Sequence, residues 1–128
     1  MTTSTGAVYQ SLFDTGLSPF PLWTTRAIWE QITGLGGPGP GTHLYRFESR
    51  RGEFVFIGAR ATTELRLATW ELHPAEVVYL ARGPVGASLE EWSSGVGVVL
   101  GVSVWARRTV ILIDLAKHRV GLANRSPR

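Results

Sequence analysis

Asp14 is the residue of this chain best placed to do acid–base chemistry. It stands in Leu12-Phe13-Asp14-Thr15-Gly16-Leu17-Ser18, directly after two apolar residues and directly before Thr-Gly. A carboxylate in that setting leaves a buried strand into a tight turn and is held rigid and partly out of water. Such a group serves as general acid or base when a second group shares its proton. The same three residues also suit a strand-terminal Asx turn that carries no chemistry. Other chemistries lack their residues. Cysteine is absent, which excludes thiolate, disulfide and Cys-zinc sites. His43, His73 and His118 stand far apart beside turns, so no metal site and no cofactor is expected. Gly36-Gly37-Pro38-Gly39-Pro40-Gly41 lacks the Gly-Lys-Ser/Thr ending of a phosphate-cradling loop and reads as a connection.

The elements that must position Asp14 are strands. Ala7 to Phe13 alternates loosely and predicts a short strand ending at the aspartate, while residues 1–6, small and polar, are expected to be disordered. Ser18-Pro19-Phe20-Pro21 forces a turn. From an N-cap at Thr24 or Thr25, Ile28, Trp29, Ile32 and Leu35 recur at helical spacing and Gly34 offers a left-handed stop. One face of that helix, with Trp29 and Ile32, is expected to pack on a sheet.

The pattern then becomes extended. His43 to Glu48 and Glu53 to Ile57 flank Ser49-Arg50-Arg51-Gly52, a hairpin with its charges at the tip. Glu64-Leu65-Arg66-Leu67 alternates, and Glu76 to Leu80 forms a strand after His73-Pro74. Val96 to Val104 reads as a strand buried on both faces. Thr109 to Asp114, a turn at Ala116-Lys117-His118, and Arg119 to Ala123 form a last hairpin.

At 128 residues the chain makes one domain able to bury its own core, and its 44% hydrophobic and 18% charged residues mark it as globular. The net charge of +3 comes from scattered arginines. Arg50-Arg51 and Arg107-Arg108 are the only doublets and no stacking aromatics interleave with them, so no nucleic-acid partner is expected. The apolar run Gly95 to Ala106 is too short to span a bilayer, and no membrane partner is expected.

The order of these pieces resembles the carboxy-terminal lobe of the pepsin-like aspartic peptidases over roughly residues 7 to 124. Phe13-Asp14-Thr15-Gly16-Leu17-Ser18 occupies the family's Asp-Thr-Gly place, Thr24 to Leu35 its helix, and Phe54-Val55-Phe56-Ile57 with Leu65-Arg66-Leu67 its hairpin region. Val99-Leu100-Gly101 occupies the apolar-apolar-Gly place, and Ile113-Asp114-Leu115-Ala116-Lys117-His118-Arg119-Val120-Gly121-Leu122-Ala123 the closing hairpin. The resemblance implies a mainly β fold, a single pepsin-like (acid-protease) lobe with one or two short helices. It also implies that Val99-Leu100-Gly101 passes beneath the aspartate turn.

In that family two aspartates face each other across two lobes, share a proton and activate water for peptide hydrolysis. The resemblance therefore implies an aspartic endopeptidase half-site, with Asp14 catalytic and Thr15 and Gly16 holding the turn. A peptide or protein would be the substrate. A homodimer mate or a partner lobe would supply the second aspartate. Leu17 stands where the family has a hydroxyl or alanine, and Val102 where it often has Asp. A catalytically inactive lobe that acts as a protein-binding or scaffold module is the alternative. Asp114 is expected to form a turn and not to take part in catalysis.

Overall fold

The computed structural model describes residues 1–14, 20–72, 76–92, 95–101 and 109–124. Its helix begins where the sequence supplies a cap. α1 spans Arg26–Thr33; Thr25 is extended, and its hydroxyl accepts the Ile28 N–H. Gly34 closes the helix at φ 73°, a left-handed conformation that glycine adopts without a Cβ penalty, and its N–H donates to the Glu30 carbonyl. Removing the cap in Thr25→Ala is expected to lower stability by about 1 kcal/mol. The midpoint of urea unfolding reads that loss, and Thr25→Ser should restore most of it.

Hairpins follow the same local logic. β4 (His43–Ser49) and β5 (Gly52–Ala59) pair antiparallel, with Ser49 opposite Gly52, so Arg50 and Arg51 alone make the turn. Gly52 has φ 126°, a backbone region that favours glycine. β6 (Leu65–Leu67) and β7 (Trp70–Leu72) form a shorter hairpin. β10 (Thr109–Asp114) and β11 (Arg119–Asn124) form a two-stranded sheet in which Asp114 faces Arg119. α2 (Leu89–Trp92) has the reciprocal cap its sequence encodes: the Ser88 hydroxyl accepts the Glu91 N–H, and the Glu91 carboxylate accepts the Ser88 N–H.

Longer-range pairing assembles these pieces. β2 (Ser11–Phe13), β3 (Leu22–Thr24), β8 (Val77–Arg82) and β9 (Val98–Leu100) join β4 and β5 in a six-stranded mixed sheet of order β2-β9-β3-β8-β5-β4. The fold is mainly β, with two short helices among the described residues. One sheet face presents Leu22, Tyr79, Ile57 and Leu100 to the fully buried Trp29 and Ile32 of α1. The Trp29 indole N–H donates to the Val77 carbonyl at 2.9 Å, which fixes helix to sheet. By strand alternation the opposite face carries Trp23, Phe56, Val78 and Val99. α2 lies against that face, with Trp92 stacked on Trp23.

Two expectations are corrected. Residues 1–6 are not disordered. β1 (Thr2–Thr3) pairs with β6, Met1 is buried, and the Ser4 N–H donates to the Glu64 carbonyl. A polar segment is held here because its backbone completes a three-stranded sheet of order β1-β6-β7. The strand expected from Ala7 to Phe13 is limited to Ser11–Phe13, because the chain reverses at Gly6 and Val8 bridges back to Thr2. Of the run from Val96 to Val104, Val98–Leu100 form a fully buried strand; residues 102–104 lie outside the described residues.

The β4–β5–β8 surface carries an ion-pair cluster. Glu53 accepts from Arg82 and lies 3.5 Å from Arg46. The hydrogen bond from Arg82 is the main reason the Glu53 carboxyl is held below its ordinary range. A folded-state pKa below the unfolded one gives stability that is complete above the unfolded value and is lost as pH falls through the folded value. Unfolding midpoints should therefore fall on acidification through roughly pH 5 to 3, and fall less steeply in Arg82→Gln.

Candidate active site around Asp14

β9 creates the setting of Asp14. It runs parallel to β2 on one side and antiparallel to β3 on the other, with Leu100 opposite both Phe13 and Leu22. β2 and β3 are the strands before and after the segment that contains Asp14, so β9 is threaded between the two arms of one connection. The Asp14 N–H donates to the Leu100 carbonyl at 2.9 Å, and the Gly101 N–H donates to the Pro21 carbonyl at 2.9 Å. Leu100 and Gly101 thus tie both ends of the connection. Lower down, the Gly97 N–H donates to the Gln10 carbonyl and the Thr25 N–H to the Gly97 carbonyl. The apolar residues of β9 suit this place because it is buried on both faces: Val98, Val99 and Leu100 are at most 1% exposed.

Asp14 itself is half-buried at the end of β2. Thr15, Gly16 and Leu17, the other residues of the motif, lie outside the described residues, as does His73. Among the described residues β2 stands at one end of the six-stranded sheet, and Leu12 on it is 38% exposed.

Beyond Asp14 the segment ends in an aromatic socket. Phe20 is 5% exposed, and its ring centroid lies 5.1 Å from that of Tyr45, 5.8 Å from Phe47 and 5.0 Å from Phe56. Trp23 meets the edge of the same group through Phe56 at 5.9 Å. These contacts join the β4–β5 hairpin to the carboxy-terminal end of the Asp14 segment.

A polar cluster stands beside the socket. The Tyr45 hydroxyl donates to Glu76 Oε2, and His43 Nδ1 lies 2.8 Å from Glu76 Oε1. Sequence reading missed this cluster. A partial signal was present: the two-residue turn sets the β4–β5 register, which brings His43 opposite Gly58 and Tyr45 opposite Phe56. Nothing local pointed to Glu76.

The remaining acid of interest, Asp114, accepts the Lys117 N–H on Oδ1 at 3.1 Å and shapes the β10–β11 turn, as expected of a turn-forming residue. His118 occupies the same turn with φ 49°. Among the described residues no group of three or more His, Cys, Asp or Glu could hold a metal ion. No helix among them is long and apolar enough to cross a membrane. In comparisons with known proteins, no family model, curated protein or solved structure matches this chain.

Proposed function

We propose that this chain is one lobe of an aspartic endopeptidase, with Asp14 as one half of a carboxylate pair. The observation that carries the reading is the insertion of the Val98–Leu100 strand and Gly101 between β2 and β3, with the Asp14 N–H held on the Leu100 carbonyl. The resemblance to pepsin-like lobes implies an apolar-apolar-Gly segment passing beneath the aspartate turn, and a strand of that composition adjoining both arms of the Asp14 connection supports the reading. The second aspartate comes from a symmetry mate or a partner lobe. Exposed Leu12 on β2 supports an interface on that side.

In such a pair two carboxylates share one proton, because two charges a hydrogen bond apart do not ionise together at low cost. The ionised member takes a proton from water as the water attacks the scissile carbonyl. The protonated member donates to the carbonyl oxygen, and a proton then passes to the leaving amine. Thr15 and Gly16 would form the turn that presents Asp14. Leu17 in place of a hydroxyl favours the second reading, a catalytically silent lobe that binds protein.

Incubation of the full chain with a broad peptide library from acidic to neutral pH separates the two. Internal cleavage that a statine-type transition-state mimic blocks and Asp14→Ala lacks supports the peptidase. Absence of cleavage at concentrations where sedimentation shows a dimer rejects the homodimeric enzyme.

A further inference from the structure

We infer that two copies of this chain associate edge to edge through β4, antiparallel about a two-fold axis at Phe47. Among the described residues β4 stands at the end of the sheet opposite to β2, and six of its seven residues are exposed. Leu44 and Phe47, on opposite faces of the strand, are 53% and 39% exposed. The strand is also fixed in place before any partner arrives. The Glu76 carboxylate accepts the Tyr45 hydroxyl and meets His43 Nδ1 at 2.8 Å, and the Arg51 guanidinium ties the turn to the Val85 carbonyl. An edge held in this way loses little freedom on pairing.

The turn length decides which groups of β4 are open. Arg50 and Arg51 alone make the turn, so Ser49 and Gly52 form the closing hydrogen-bonded pair, and such pairs recur at Phe47, Tyr45 and His43. The N–H and C=O groups of Leu44, Arg46 and Glu48 therefore point away from β5. A two-fold axis normal to the sheet can stand at any residue of the strand, and charge selects among the choices. An axis at Arg46 or Glu48 sets like charges against each other. An axis at Leu44 or Tyr45 leaves Glu48 beyond the paired strands, and one nearer either end shortens the ladder. With the axis at Phe47, each Arg46 meets Glu48 of the partner subunit, and both residues belong to the outward set that makes the backbone hydrogen bonds.

The ion pairs of the single chain show what Glu48 gains. It stands directly opposite Glu53, and Arg46 and Arg82 both turn to Glu53. No basic side chain among the described residues forms an ion pair with Glu48, and Arg46 of the partner subunit supplies that cation. At the axis Phe47 meets its own mate in a non-hydrogen-bonded pair, where side chains approach most closely. Phe47 already packs on Phe20 and Phe56, with ring centroids at 5.8 and 6.1 Å, so the pairing joins the aromatic sockets of the two copies. Asp14 ends β2, at the other end of the sheet, and the association through β4 is independent of the peptidase reading.

Sedimentation equilibrium of the full chain from about 1 to 500 µM, the range suited to a small interface, tests the pairing. The wild type should dimerise within it. Arg46→Glu and Glu48→Arg each set like charges at both contacts and should weaken dimerisation about tenfold or more. An equimolar mixture of the two variants restores both contacts and should associate as the wild type does, as should the double variant Arg46→Glu/Glu48→Arg. Rescue by mixing also shows that each single variant folds. Amide exchange then locates the contact: in the wild type the peptide covering residues 43–49 should exchange about tenfold more slowly at high concentration than at low, and in Arg46→Glu equally at both. A wild type that stays monomeric throughout overturns the inference. So does a dimer that Arg46→Glu leaves intact, a mixture that does not associate, or protection that falls on residues 11–14 instead of 43–49.

Discussion

Trp29→Ala should lower the unfolding free energy by about 3–5 kcal/mol, the range for truncating a fully buried large aromatic. Trp29 is 0% exposed and its ring centroid lies 4.8 Å from that of Tyr79. Its indole N–H holds the Val77 carbonyl, so the variant loses both a packed volume and a buried hydrogen bond that joins α1 to β8. Trp29→Phe keeps part of the ring and loses the N–H, and should fall between the variant and the wild type. Urea unfolding measures both, as a lower midpoint at unchanged slope. Because domains of this size have net stabilities of only about 5–15 kcal/mol, Trp29→Ala should be partly unfolded at physiological temperature. A loss below about 1 kcal/mol would mean that α1 does not bury its indole against the sheet.

If the chain is the peptidase lobe proposed above, Asp14→Asn should abolish peptide cleavage. Asparagine is close to isosteric with aspartate, and the Asp14 contact to Leu100 is made by the backbone N–H, which the substitution retains. Its amide cannot take a proton from water, which removes the general base from any pair it enters. Mixing then identifies the source of the second carboxylate. With freely exchanging subunits at a one-to-one ratio, a homodimer that needs both aspartates retains about one quarter of its activity, since a mixed dimer has one carboxylate. A lobe that pairs with a different chain present in excess retains about one half. Activity undiminished in Asp14→Asn alone would remove Asp14 from the chemistry altogether.

Much of this protein was legible because the relevant physics is local. Thr25 and Gly34 set the limits of α1 by capping, and Ile28, Trp29 and Ile32 fall on its inner face by period. Arg50-Arg51 closes a hairpin whose register follows from the turn length. The Leu65-Arg66-Leu67 alternation buries Leu65 and exposes Arg66. β7 was missed because Trp70–Leu72 is too short to show a period, and its turn has Ala68 at φ 53° where glycine or asparagine would have signalled it. The amino terminus was misread because its order depends on a partner strand some sixty residues away.

By itself the sequence determined the secondary structure around Asp14: an apolar strand before it, prolines after it, and a capped helix beyond. It also determined that β9 must be buried, since Val98, Val99 and Leu100 offer nothing polar to water. Only the tertiary structure decided that this strand runs between β2 and β3, because pairing between distant strands depends on the packing of the whole sheet. The same holds for Phe20 in its socket and for Glu76 reaching Tyr45 across Gly58. Those contacts join residues 18 to 36 positions apart, and their stability is collective, arising only once α1 and the six-stranded sheet have closed on a common core.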